Sequence, residues 1–375
     1  MGLMNSSLRT LATTEDCLRL SVTVPEDIAP GDQRPVMVWI HGGSYVFGAG
    51  DAAIYDPKAL VEEQGVVVVS VTYRLGLLGF LGGAAGRAAN LGLLDIIEAL
   101  RWVKANIVAF GGDADSITLF GQSAGGDAIA HLMIAEGAQD LFRRAIIQSA
   151  PLGISLGRRK MTEAMMKVAA QVAHDAPTED VIVTQASVVS ASQGFGWPAS
   201  MPFGTQYGHH PLPAEEEVDA AWSRCARRFD VLIGSTAEEG SFFIPIMEPL
   251  RKLAALPLLG EMVRHIVIRT ITRKVYALAA DRFAHRHARA GGRAYVYKIH
   301  WGSKTNRLGA THAIDLPLLF GDEAIWRDAD LVAGLSWAEV HASARKVRAL
   351  WASFARTGSL EPGAIEPTLL SYRKA

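Results

Sequence analysis

Apolar residues fall along this chain in short continuous runs, separated by longer stretches with helical spacing. Val36-Met37-Val38-Trp39-Ile40 is apolar at every position, and residues 66–71 are apolar apart from Ser70. Such runs predict strands buried on both faces. Residues 17–24 alternate and stop at Pro25, which predicts a strand near a sheet edge. Residues 116–120, 145–149, 231–234 and 293–299 predict four more strands, the last of these being the final one. Leu93, Ile96, Ile97, Leu100, Val103 and Ile107 form one stripe of a helix over 92–110, stopped at Gly111. Ser336 with Glu339 predicts a capping box for a C-terminal helix that ends near Gly358. Strands alternating with helices imply an α/β fold, an open and mostly parallel sheet with helices on both faces.

Residues 152–222 and 242–291 break that rhythm. They lack buried-strand runs and are expected to be insertions covering the carboxyl edge of the sheet, within a single domain spanning 1–375. The Gly-, Pro- and aromatic-rich stretch 194–213 is either a pocket lining or a packed irregular loop.

The stretch Gly121-Gln122-Ser123-Ala124-Gly125 stands between a predicted strand and a predicted helix. A G-x-S-x-G in that context is a nucleophile-elbow pattern. The two glycines let strand and helix approach closely, and the helix N-terminus favours developing negative charge. A serine hydroxyl needs a base, usually a histidine oriented by a carboxylate. In folds with this elbow the order is Ser, acid, His, on loops after successive strands. The loop after residues 231–234 offers Glu238 and Glu239; the loop after 293–299 offers His300 and His312. Position alone leaves both pairs open. An oxyanion needs backbone N–H donors. Ala124 supplies one, and the loop His41-Gly42-Gly43-Ser44 after the 36–40 strand is placed to supply others.

The chain has 375 residues, 49% hydrophobic and 20% charged, with a formal net charge of -1. No basic field invites nucleic acid. Short basic groups such as Arg158-Arg159-Lys160 are expected on the surface, as are His209, His210, His285 and His287, rather than around a metal. Cys17 and Cys225 are expected to be free thiols in a reducing, cytoplasmic setting. Residues 1–14 lack the layout of a signal peptide, and the myristoylation-like Met1-Gly2 with Ser6 is read as coincidence. No apolar run reaches the length of a membrane span.

The chain resembles the type-B carboxylesterases, the cholinesterase-like branch of the α/β-hydrolase fold. The matching segments are Glu15-Asp16-Cys17-Leu18, Val38 through Gly43, Tyr73-Arg74-Leu75-Gly76 and Asn90 through Asp95. Phe110 through Asp113, Phe120 through Gly126, Glu238 through Phe242, His312 through Leu316 and Phe354 through Gly358 also match. The resemblance implies an ester hydrolase with Ser123 as nucleophile, Glu239 as acid and His312 as base. It implies oxyanion donors at Gly43, Ser44 and Ala124, with Gly42 shaping the turn, and a structural ion pair between Arg74 and Asp95. It implies no metal and no organic cofactor.

Three departures stand out. The family's N-terminal β segment is expected to be absent, along with the disulfide partner of Cys17. The insertions are short. Tyr207-Gly208 stands where the family often has Asp-Gly. The strand over 17–24 would then be an exposed edge, prone to homodimer pairing or reduced stability. The expected partner is otherwise a small-molecule ester. Amide, carbamate or lactone hydrolysis at the same site is one rival, and a catalytically silent binding module is another.

Overall fold

In a computed structural model of the chain, the apolar runs pair into an eight-stranded sheet. The structure describes residues 14–83, 86–173, 175–257, 259–361 and 366–375. The expectations for the first thirteen residues lie outside these.

The strands are β1 (Leu20–Thr23), β2 (Arg34–Ile40), β3 (Val67–Val71), β4 (Gly112–Gln122), β5 (Arg144–Gln148), β6 (Asp230–Thr236), β7 (Arg293–Ile299) and β8 (Leu370–Lys374). Their spatial order is β1-β3-β2-β4-β5-β6-β7-β8. The six central strands are parallel, while β1 and β8 pair antiparallel at the two edges. This is the α/β-hydrolase arrangement expected.

Residues 293–299 are not the final strand. Leu370-Ser371-Tyr372-Arg373-Lys374 adds β8, with Ile299 opposite Leu370 and Tyr297 opposite Tyr372. The segment is polar and half-exposed, so it carries no buried-strand pattern. The helix expected over 92–110 is α-helical only over Leu91–Asn106 and tightens to a 3₁₀ turn over Ile107–Phe110 before Gly111 at φ 72°.

The continuous run of β2 is split between two cores. Val36, Val38 and Ile40 face the side covered by helices Leu91–Asn106 and Ala124–Leu132. Met37 and Trp39 face the side covered by Lys58–Gln64 and Trp337–Thr357. Period-two alternation therefore persists although both faces are dry. On the second face Trp39 packs against Tyr55, Phe120 and Phe320 with ring centroids 4.8 to 5.3 Å apart. The long C-terminal helix carries the expected capping box at Ser336 and Glu339 and ends at Gly358, φ 64°.

Two surface expectations fail. Arg158 is buried, its guanidinium donating to the carbonyls of Met201 at 2.6 Å and Pro202 at 2.7 Å. An irregular loop leaves carbonyls without ladder partners, and Arg158 satisfies them. His287 is also buried and hydrogen-bonds the Phe229 carbonyl at 2.9 Å; burial pushes its pKa down. Cys17 and Cys225 are both free. Among the described residues no helix is long and apolar enough to cross a membrane.

The chain passes from β2 to β3 on one side and returns to β4 on the other. The carboxyl ends of β2 and β4 therefore flank the crevice where such sheets bind ligands.

Candidate active site

Ser123 follows β4 directly and starts helix Ala124–Leu132, with φ 57° and ψ -123°. A non-glycine residue seldom adopts that conformation, and it persists only where its surroundings over-determine it. Here the Ser123 N–H donates to Gln148 at 2.8 Å, and the Ser123 carbonyl accepts from Asp127 at 2.9 Å. A side chain at Gly125 would bring its Cβ to 2.0 Å from the Ile40 carbonyl, so only glycine fits where the elbow meets β2.

The loop after β2 is also strained. Ser44 and Tyr45 have φ 55° and 61°, and Gly43 has φ 113°. Gly43 and Ser44 line the same cavity as Ser123. Ala124, the first residue of the elbow helix, is fully buried beside them.

The loops after β6 and β7 deliver the acid and the histidine. Glu239 is fully buried, and its Oε2 lies 2.5 Å from His312 Nδ1. Its Oε1 accepts from Ser149 Oγ at 2.6 Å and from the Thr236 N–H at 2.7 Å. The carboxylate thus has three donors, as a buried charge requires. The arrangement puts the His312 proton on Nδ1 and turns Nε2 toward the elbow. There Nε2 accepts from the side-chain amide of Gln122 at 3.1 Å. Phe242, Phe243 and Tyr276 pack around the imidazole, with ring centroids 5.2 to 5.5 Å away.

The alternatives that position left open are placed elsewhere. His300 Nε2 meets Ser371 Oγ on β8 at 2.9 Å. The Glu238 carboxylate accepts from the Ala310 N–H at 2.9 Å, and its backbone bridges Thr311. Glu238 therefore ties the β6 loop to the β7 loop rather than reaching His312. Arg74 and Asp95 make the bidentate pair expected of them, at 2.6 and 2.8 Å. His41 is fully buried, and its pKa is lowered to about 4, mainly by burial. It stays neutral across the physiological range.

Sequence reasoning did not find Ser149, Gln122 or Asp315 as neighbours of the pair. Asp315 lies three residues after His312 and accepts from Gln148 at 2.6 Å. It is fully buried, and its pKa is raised to about 6, chiefly by that burial. Strand-end serine and glutamine residues carry no spacing that marks them.

A cavity of about 810 Å³ opens above Ser123 and His312. Trp197, Met201, Phe243, Ile246 and Leu250 are among its walls, so both irregular regions contribute. Gly194, Gly196, Trp197, Ala199, Ser200 and Met201 of the Gly- and Pro-rich stretch line it, while Phe203 and Leu212 pack into the core. Among the described residues its lining holds no Asp, Glu, Lys or Arg, and no cluster of metal-ligating side chains is present.

A family model described as "Carboxylesterase family" matches residues 2–256. The chain is 38% identical to the probable N-octanoylanthranilate hydrolase of Rhodococcus erythropolis, over 93% of this chain and 78% of that protein. It is 33% identical to the para-nitrobenzyl esterase of Bacillus subtilis (strain 168), over 92% and 75%. Among solved structures, a thermophilic PNB esterase superposes with a TM-score of 0.78 at 27% identity, covering 96% of this chain and 82% of that one.

Asp315 sets a stability test. Its carboxyl is held above its ordinary value in the folded state. The folded chain therefore keeps the proton longer, and stability is lost as pH rises from about 4 to about 6. Asp315→Asn removes that slope. The melting temperature of the variant relative to wild type should be higher at pH 8 than at pH 4 by a few °C, read by differential scanning fluorimetry. A difference independent of pH would show that Asp315 is ionised throughout.

Proposed function

The chain belongs to the carboxylesterase family and is a carboxylic ester hydrolase, and from that premise we propose that Ser123 is its nucleophile, His312 its general base and Glu239 the carboxylate that orients His312. The observation that carries this reading is the buried Glu239–His312 hydrogen bond, with His312 and Ser123 in one cavity. Ser123 Oγ attacks the ester carbonyl and His312 Nε2 takes its proton. Glu239 stabilises the imidazolium through Nδ1–H. The N–H groups of Gly43, Ser44 and Ala124 hold the oxyanion. His312 then protonates the leaving alcohol, and water repeats the sequence on the acyl-enzyme. In the resting geometry the Gln122 amide occupies Nε2, so His312 exchanges that partner for Ser123 Oγ when substrate enters.

Residues 152–222 and 242–291 act in this reading as cap-like insertions of one hydrolase domain. Their contribution of Trp197, Met201, Ile246 and Leu250 to the cavity supports it. The uncharged lining favours neutral esters, because a carboxylate entering it would be desolvated without a counter-charge. Amide cleavage at the same site is a second reading, favoured by the relative named for an N-octanoyl compound. The unpaired thiols of Cys17 and Cys225 suit a reducing compartment such as the cytoplasm. Among the described residues β1 is a sheet edge paired only to β3, which supports homodimerisation through its outer side.

Ser123→Ala should lower kcat by about 10⁴-fold or more in a folded protein. Glu239→Gln and His312→Ala should be severe, while Glu238→Gln and His300→Ala should be mild. Near-normal turnover by Ser123→Ala, or loss of acylation in His300→Ala but not in His312→Ala, would refute the assignment. In a panel of nitrophenyl esters, neutral acyl chains should exceed ω-carboxylated chains of equal length by roughly 10-fold or more in kcat/KM. The matching anilides measure the amide reading. Light scattering on fresh protein should give a dimer; a monomer at high concentration would show that β1 does not pair.

A further inference from the structure

Tyr45 and Asp127 link two parts of the chain that the proposed mechanism needs in register. Tyr45 follows Ser44 in the strained β2 loop, and both have positive φ. Asp127 lies on the elbow helix, four residues after Ser123. Both are buried, and the Tyr45 hydroxyl lies 2.7 Å from Asp127 Oδ2. Burial raises the Tyr45 pKa well above the ordinary tyrosine value, so the hydroxyl is the donor. Its ring packs on Phe80 at 4.1 Å, and its carbonyl accepts from the Gly76 N–H at 2.6 Å.

The oxyanion donors come from these same two pieces. Gly43 and Ser44 belong to the loop, while Ala124 begins the helix. Donors must meet the oxyanion within a few tenths of an ångström to retain their effect. Two successive left-handed non-glycine residues relax unless something holds them. We infer that the buried Tyr45–Asp127 hydrogen bond is the cross-link that holds the oxyanion loop against the elbow helix, making both positioning residues for the transition state. The inference rests on the oxyanion assignment above. The Asp127 carboxylate has a second donor, since Ser155 Oγ donates to Oδ1 at 2.5 Å, while His131 Nδ1 bonds the Asp127 backbone carbonyl at 2.7 Å. Losing the Tyr45 bond therefore leaves the carboxylate partly satisfied and the fold intact.

The test uses Tyr45→Phe, which keeps the ring and removes the bond. Its probe is an aliphatic trifluoromethyl ketone. Ser123 Oγ adds to the ketone carbon, its proton passes to His312, and the carbonyl electron pair becomes an oxyanion in the hole. Tyr45→Phe should lose about 10- to 100-fold in kcat and a similar factor in ketone affinity, with KM within about 2-fold. Asp127→Asn, which keeps the shape and weakens the acceptor, should move in the same direction and serves where Tyr45→Phe fails to fold. Ser155→Ala removes a donor from the same carboxylate without touching the loop. It should lower the melting temperature and leave kcat and ketone affinity within about 2-fold. A folded Tyr45→Phe with both quantities unchanged would overturn the inference, as would an equal loss in Ser155→Ala. Fluorophosphonate labelling of wild type separates the two levels: label away from Ser123 overturns the assignment of the site, whereas label on Ser123 with an unaffected Tyr45→Phe overturns only the cross-link.

Discussion

The approach of the elbow to the end of β2 is the constraint on which the site depends. The Ile40 carbonyl stands where any side chain at position 125 would have to go. The β2–β4 pairing runs in register from Val36 opposite Ile117 to Ile40 opposite Gly121, and brings the two strand ends level. At that level the chain leaves β4 through a strained serine and leaves β2 through a strained loop. Strain of this kind costs on the order of 1–3 kcal/mol per residue and persists only in a rigid frame. The frame is the sheet, whose central residues are fully buried on both faces.

The second half of the site is held by loop-to-loop contacts rather than by strand pairing. Glu238 bridges Thr311, and Ser241 Oγ hydrogen-bonds Thr311 Oγ1 at 2.8 Å, so the β6 and β7 loops move together. Glu239 and His312 are each one residue from that seam. The neighbouring carboxylate of Glu238, which sequence position could not separate from Glu239, has a structural task instead. It joins the loop that carries Glu239 to the loop that carries His312.

The parts of this arrangement legible in the sequence are those with a repeating physical cause. Buried strands show as apolar runs, the C-terminal helix as a capping box, and the elbow as glycines around a serine between a strand and a helix. The order of strands limited the acid and the histidine to two candidates each. The family resemblance selected Glu239 and His312, and the structure puts those two side chains 2.5 Å apart. What stayed hidden depends on contacts between residues far apart in the chain. β8 is a polar five-residue segment that becomes a strand only because β7 offers an open edge. Arg158 reads as surface until the carbonyls of Met201 and Pro202 are placed beside it. Asp127 looks like an ordinary first-turn helix acid until Tyr45, 82 positions earlier, arrives at its oxygen.

The distribution of charge around the cavity gives these contacts a common sense. Glu239, Asp315 and Asp127 are all buried near the site, yet none of them lines the cavity. Glu239 has three donors, Asp127 has donors on both oxygens, and Asp315, with one strong donor, has a raised pKa. The carboxylate of Asp315, with the fewest donors of the three, is the one that burial holds above its ordinary value. The cavity wall is largely apolar, and Ser44, Gln122, Ser123 and His312 are among its polar groups. In the proposed mechanism the charge of Glu239 acts on the reacting atoms through His312, whose Nδ1 lies 2.5 Å from Glu239 Oε2. A carboxylate on the cavity wall would instead repel the developing oxyanion directly, and in a low-dielectric setting that repulsion would offset the donors of the β2 loop and the elbow helix. In the proposed mechanism, keeping these acids off the cavity wall lets their charge orient neighbouring groups without facing the reacting carbonyl.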